Sequence, residues 1–278
     1  MVVKQDSGER RTREQLAEHY GIERELADRL RASSRQERGG LYASVYDELF
    51  QRVPLHPQLT NKAEPHDVAR KLTRQLRFLR RFLDRDTVFL EVGAGDCAVA
   101  LAIARIARRV YAVDVSEEIT KDLPRPSNFE LILSDGCDIL LPPGSVDTAY
   151  SNQLMEHLHP DDAIEQLGNI HRALAPGGRY VCVTPNRLSG PHDISMYFDV
   201  VPHGFHLKEY TNRELRRLFK RVGFRRVAAS IGARDIWIDI PPVLLIVAET
   251  ILDRLPHGLR TGLARRLPFT LIRMIGTK

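Results

Sequence analysis

The stretch Val88-Phe89-Leu90-Glu91-Val92-Gly93-Ala94-Gly95-Asp96 decides the architecture of this 278-residue chain. Its apolar run Val88–Leu90 suits a strand covered on both faces, as in a parallel sheet. The strand passes an acidic residue and enters a glycine turn. Gly93 and Gly95 let the backbone turn sharply and let a ligand approach with no Cβ in the way. A helix from about Ala98 to Arg108 follows, and its free N–H groups and positive dipole end favour an anionic group. With Ala98 in the last position the turn also satisfies Gly-x-Gly-x-x-Gly/Ala, so by itself it leaves the class of ligand open.

Two features lie on either side of the turn. Glu91 would repel a pyrophosphate but could hold an ammonium group, which suits a ligand carrying both an amine and a carboxylate, such as the methionyl end of S-adenosylmethionine. The next strand, Val110–Val113, ends on Asp114, ~20 residues after the glycines, where a carboxylate can accept hydrogen bonds from both ribose hydroxyls. Further strands are read at 129–133, 146–151, 179–184 and 225–231, after 87–91 and 109–113. Helices at 97–108, 116–122, 161–174 and 212–222 alternate with them. That alternation predicts an α/β fold, a Rossmann-like doubly wound sheet, mostly parallel, with helices on both faces. The ligand belongs outside the carboxyl ends of the strands.

In this order and spacing the chain resembles the class I S-adenosylmethionine-dependent methyltransferases of the small-molecule type, over roughly Val68 to Ile231. The resemblance rests on Glu91-Val92-Gly93-Ala94-Gly95, Tyr111-Ala112-Val113-Asp114, Leu133-Ser134-Asp135-Gly136, Val146 to Asn152, and Leu174-Ala175-Pro176-Gly177-Gly178-Arg179-Tyr180. It implies a cofactor held by Glu91, Gly93, Ala94, Gly95, Asp114, Val115, Asp135, Gly136 and Asn152, with Asp114 on the ribose and Asp135 facing the adenine amine. It also implies an antiparallel last strand, for which Leu271–Ile275 is the candidate. A hydride-transfer enzyme is a further alternative, although the chain has no Tyr-x-x-x-Lys or comparable nicotinamide-side signature. A cofactor-binding scaffold without turnover is the alternative outside the enzyme class.

Composition agrees with a globular α/β domain with appendages. The chain is 43% hydrophobic and 28% charged, with 41 basic and 36 acidic residues and a net charge of +5. That mild excess gives little reason to expect a nucleic-acid partner. Cys97, Cys137 and Cys182 are odd in number and show no short spacing. They read as buried free thiols in a reducing, cytoplasmic setting rather than as zinc ligands or disulfides. The segment Met1 to Arg13 is too polar for a secretory signal.

The chain divides into three parts. Residues 1–65 form an N-terminal helical cap, with Leu16, Ile22, Leu26 and Leu30 at helical spacing and a second stripe of Tyr42, Val45, Tyr46, Leu49 and Phe50. Tyr42, Tyr46 and His56 could line a pocket or pack the cap on the core. Residues 66–231 form the cofactor core, opened by a basic helix from Val68 to Leu83 whose arginines read as a solvated face. Residues 232–278 hold a lid insertion and the final strand. The insertion contains the run Ile240 to Ala248, which falls short of the ~20 apolar residues that cross a bilayer. A dimer contact and a membrane-surface contact are the other readings of this insertion.

The chemistry is expected just after the fourth and fifth strands. Gln153-Leu154-Met155-Glu156-His157 and His206-Leu207-Lys208-Glu209-Tyr210-Thr211 resemble segments of two metal-dependent groups, the small-RNA 2′-O-methyltransferases and the ubiquinone-biosynthesis O-methyltransferases. The resemblance implies a metal set of Gln153, Glu156, His157 and His206, with Gln153 standing where those groups have a glutamate. Mg²⁺ or Mn²⁺ there could chelate adjacent substrate oxygens and lower the pKa of the attacking hydroxyl. The metal-free reading keeps His157 or His206 as general base. His159, His192 and His203 are further pocket candidates without a role. The expected activity is methyl transfer to an oxygen of a small acceptor such as a sugar, phenol or secondary metabolite, with N- or C-methylation as the alternative.

Overall fold

A computed structural model describes residues 9, 11–60, 65–116, 125–233 and 236–278. Two long helices lead, α1 (Arg13–Ala32) and α2 (Arg35–Arg52), followed by the single turn α3 (Pro57–Thr60) and α4 (Pro65–Leu79). Thr12 with Gln15, and Ser34 with Glu37, form reciprocal capping boxes that start α1 and α2. The core then runs β1 (Val88–Val92), α5 (Ala98–Ile103), β2 (Arg109–Asp114), β3 (Phe129–Leu133), β4 (Val146–Asn152), α6 (Pro160–Ala173), β5 (Leu174–Pro185), α7 (Asn212–Val222) and β6 (Arg226–Ala233). The chain ends with β7 (Ile236–Ile240), α8 (Pro242–Leu252), α9 (His257–Arg266) and β8 (Leu271–Thr277).

The eight strands form one sheet in the order β3-β2-β1-β4-β5-β8-β6-β7. The first five are parallel, and β8 inserts antiparallel between β5 and β6. The expected antiparallel last strand is therefore present. Strand alternation sorts the core onto two faces. Leu90 and Val92 pack with Ala149, Tyr180, α2, α6 and α7 on one side. Phe89 packs with Val110, Tyr150, α4 and α5 on the other. The arginines and lysine of α4 lie outward, as a solvated face.

The helix after the glycine turn stops at Ile103, where the backbone passes into turns before β2. The helix at 116–122 lies outside the described residues apart from Ser116. The segment 232–268, expected as a lid insertion, carries the edge strand β7 and two helices. Those helices pack on α7 and on the turn 187–189 around Leu188, Leu245, Leu252, Ala264 and Phe269.

The N-terminal helices are fastened to the core by a buried ion pair. Arg38 on α2 donates from Nε and Nη2 to the two carboxylate oxygens of Asp162 on α6, at 2.7 and 2.6 Å. Tyr42 donates its hydroxyl to the same carboxylate at 2.7 Å and accepts from the His159 backbone N–H at 2.9 Å. Asp162 is 0% exposed. Burial opposes its charge, but Arg38 and Tyr42 outweigh it and hold the carboxyl below its usual range. Asp162→Asn leaves the Arg38 charge buried and uncompensated, so it should cost about 3–5 kcal/mol of stability in urea unfolding. Arg29→Ala breaks only the half-exposed pair with Glu48 and should cost about 1 kcal/mol or less.

Candidate active site

The glycine turn sits where β1 leaves the sheet. Gly93 and Gly95 have φ of 68° and 53°, and Cys97 follows at 54°. A Cβ on Gly93 would also fall 2.8 Å from Leu154 Cδ1, so this position excludes a side chain by conformation and by space. The turn is tied to β2. Gly93 N–H donates to Val113 O at 2.8 Å, and Asp114 accepts from the Gly95 and Val115 N–H groups, each at 2.7 Å. Gly93, Ala94, Gly95, Asp114 and Val115 thus form one hydrogen-bonded unit. Asn152 ends β4 in register with Val183.

Two expected cofactor residues are engaged within the protein. Alternation along β1 turns Glu91 to the α5 side, where its Oε2 accepts the Ala100 N–H at 2.8 Å. It is buried there, and burial pushes its carboxyl up to about 8 against that hydrogen bond. Asp135 accepts from the Cys137 and Asp138 N–H groups and pairs with Arg35 of α2 at 2.7 Å. Next to it, Gly136 O accepts from Gln166 Nε2 at 2.6 Å.

The loop after β4 begins with Gln153, a second non-glycine residue in the left-handed region, at φ 57°. Such conformations persist where the surroundings over-determine them. The loop brings Glu156, His157 and His206 together, with ligand atoms all within 4.8 Å of one another. Glu156 is 0% exposed; its Oε2 accepts from Thr184 Oγ1 at 2.9 Å, and its Oε1 is buried with no hydrogen-bond partner. Burial raises its carboxyl to about 7, with His206 pulling the other way. His157 Nδ1 lies 3.1 Å from Phe205 O and 3.0 Å from Tyr46 Oη. Because the carbonyl can only accept, Nδ1 carries the proton and Nε2 keeps the lone pair. Burial, then His206, lowers this imidazole to about 3. His206 Nδ1 lies 2.8 Å from Glu209 Oε1. Burial disfavours the charged ring, but Glu209 and Glu156 outweigh it and His206 is raised. Burial also works against the Glu209 charge, yet the hydrogen bonds of His192 and His206 bring it down to about 2.

His157 and His206 open onto a cavity of about 420 Å³, which also takes in His19, His56 and His192. Its walls come from α1, α2, the segment 192–206 and the strand-four loop, and none of residues 236–268 contributes. Tyr46 and His56 line it. Tyr42 does not, being spent on Asp162. His159 caps α6 and His203 stays outside the lining.

The wall from α1 escaped sequence reasoning. Arg11 Nη1 donates to His19 Nδ1 at 2.7 Å, His19 Nε2 reaches Glu23 Oε2 at 2.8 Å, and Glu23 Oε1 accepts the Phe205 N–H at 2.8 Å. His19 and Glu23 share the inner stripe of α1 with Leu16, Leu26 and Leu30. Two polar residues one turn apart on an apolar stripe were the available signal.

Residues 65–229 match the family described as "Methyltransferase domain". This chain belongs to that family. The chain is 32% identical over 149 residues to a Mycolicibacterium smegmatis protein named a probable S-adenosylmethionine-dependent methyltransferase, covering 53% of this chain and 55% of that one. A Mycobacterium tuberculosis H37Rv protein with the same kind of name is 32% identical over 140 residues, covering 50% and 49%. The chain thus spans about half the length of the curated relatives it matches. Among solved structures, a SAM dependent methyltransferase from Archaeoglobus fulgidus superposes with a TM-score of 0.53 at 21% identity, covering 75% of this chain and 94% of that one. A Haloferax volcanii methyltransferase in complex with the Trm112 methyltransferase activator gives 0.52 at 18%, covering 74% and 90%. At these identities the likeness is one of fold.

Glu91 makes the fold's stability depend on pH. Its folded pKa is raised from 4.5 to about 8, so its contribution is complete below 4.5 and is lost as pH rises through about 8. Glu91→Gln does not titrate and keeps an acceptor for Ala100. The stability of that variant relative to wild type should grow by about 3–4 kcal/mol between pH 5 and pH 8 in denaturant unfolding without ligand.

Proposed function

We propose that this methyltransferase transfers a methyl group from S-adenosylmethionine to an oxygen of a small-molecule acceptor held in the cavity between α1, α2 and the strand-four loop. The observation that carries this reading is the orphaned Glu156 Oε1, buried beside the His157 and His206 imidazoles. The cofactor belongs at the glycine turn, and Leu154 joins the two places by packing its side chain on Gly93. The residues also suit a divalent ion. Glu156, His157 and His206 would hold it, with Gln153 at the head of the same loop. One carboxylate with two imidazoles fits Mn²⁺ better than Mg²⁺, which prefers oxygen ligands. A metal bound there would act as a Lewis acid on the acceptor oxygen.

The protein's own groups prepare both imidazoles for that role. Phe205 O and Tyr46 fix His157, and Glu209 fixes His206, each through Nδ1, leaving Nε2 as the ligating nitrogen. A second reading keeps His206 as general base without a metal. It is favoured by the Glu209 hydrogen bond, which supports a proton on the ring. His157 serves that reading poorly, since burial makes it a weak base. The histidines and carboxylates that line the cavity suit a compact polar acceptor with adjacent oxygens, such as a diol or catechol. A cytoplasmic site of action accords with the three buried thiols.

Binding of S-adenosylhomocysteine by calorimetry tests the cofactor assignment. Wild type should bind, and Asp114→Ala and Gly93→Arg should weaken binding by about tenfold or more. No binding by folded wild type would overturn the whole reading. With S-adenosylhomocysteine present, Mn²⁺ titration followed by electron paramagnetic resonance should show one saturable site that Glu156→Ala and His206→Ala abolish. If Mn²⁺ finds no site while the cofactor product binds, His206 acts as the base.

A further inference from the structure

We propose that β7 and the outward face of α8 form a twofold interface with a second copy of this chain, joining the two sheets edge to edge. β7 ends the sheet and hydrogen-bonds only to β6 among the described residues. Its sequence Ile236-Trp237-Ile238-Asp239-Ile240 contains no proline or lysine, the residues that usually blunt a free edge. Alternation gives the strand two faces. Trp237 turns to α4, with its ring 5.3 Å from Phe78, and Asp239 on that face pairs with Arg81. Ile236, Ile238 and Ile240 turn the other way, toward α8. Ile240 meets the cluster under that helix, while Ile238 and Ile236 stand 60% and 69% exposed.

α8 continues this uncovered surface. Leu245, Glu249 and Leu252 face inward, and Val243, Leu244, Val247 and Ile251 face out at 54–62% exposure. Positions 243, 247 and 251 lie one above another on a helix, so the outward residues form a stripe. The stripe holds no charge and no aromatic ring.

Three observations select the occupant. A free strand edge presents backbone donors and acceptors that another strand satisfies and lipid hydrocarbon does not. Residues 236–268 carry four arginines against three acidic residues, too even a balance to draw the segment to an anionic bilayer, and the exposed stripe lacks the Trp or Phe of interfacial helices. A twofold axis lets β7 pair antiparallel with itself and packs like aliphatic residues against like. The six exposed aliphatic side chains per copy supply the apolar centre of an interface of roughly 800 Å² a side. The cavity and the glycine turn take no residue from this surface, so the pairing leaves the site open.

Sedimentation equilibrium of the full chain from about 1 to about 100 µM tests this. Wild type should dimerise in that range. Ile238→Asp and Val247→Asp should each weaken the dimer by about tenfold or more with S-adenosylhomocysteine binding unchanged. Ile251→Glu, on the exposed stripe, serves if Ile238→Asp disturbs the sheet. Hydrogen exchange of the β7 amides should slow at dimer-forming concentration, as edge pairing requires. A monomer at every concentration, a dimer indifferent to all three substitutions, or β7 amides unchanged on dimerisation would each overturn the proposal. A monomer that floats with phosphatidylserine vesicles, and stops doing so in Val247→Asp, would also overturn it and assign the face to lipid.

Discussion

The buried pair between Arg38 and Asp162 fixes where everything above the strand ends can sit. Both groups are removed from water, which is costly, and the geometry recovers that cost with two parallel hydrogen bonds and a third from Tyr42. Its main effect is placement. The Tyr42 hydroxyl also holds the His159 amide at the start of α6, so α2 has one register on the core. Tyr46, one turn further along α2, then reaches His157, and Leu49 reaches the cavity. Without that register the α1 wall would have nothing to face.

Most of the sheet was legible because strand alternation and glycine turns are local signals. The third strand, 129–133, and the helix at 212–222 agree residue for residue with the sequence reading, and β1, β2 and β4 shift by one residue or less at each end. β7 was missed for a physical reason. Its alternation is clear, but the uninterrupted run after it dominates the segment, and the strand is held by pairing with β6 and by the packing of Trp237 on Phe78, far away along the chain. Glu156, His157 and His206 were legible as a set because their order along the chain carries the resemblance. The hold of Asp135 on Arg35 and the α1 wall were not, since both are made between residues far apart in sequence.

Within the cluster, environment separates two chemically identical rings. His157 and His206 lie 4.9 Å apart, centroid to centroid. Burial beside a carbonyl and a phenol keeps His157 neutral, whereas two carboxylates favour a proton on His206. One ring therefore presents a lone pair and the other tends to hold a proton, a division of roles set by Phe205, Tyr46 and Glu209 and invisible in the residue types.

The backbone of Phe205 has its own importance. Its N–H is held by Glu23 of α1 and its C=O meets His157, so the main chain of one residue joins the helical cap to the histidine wall of the cavity. Order in the cap and occupancy of the cavity meet at this one residue, and to whatever extent either favours the other, the effect is equal in both directions.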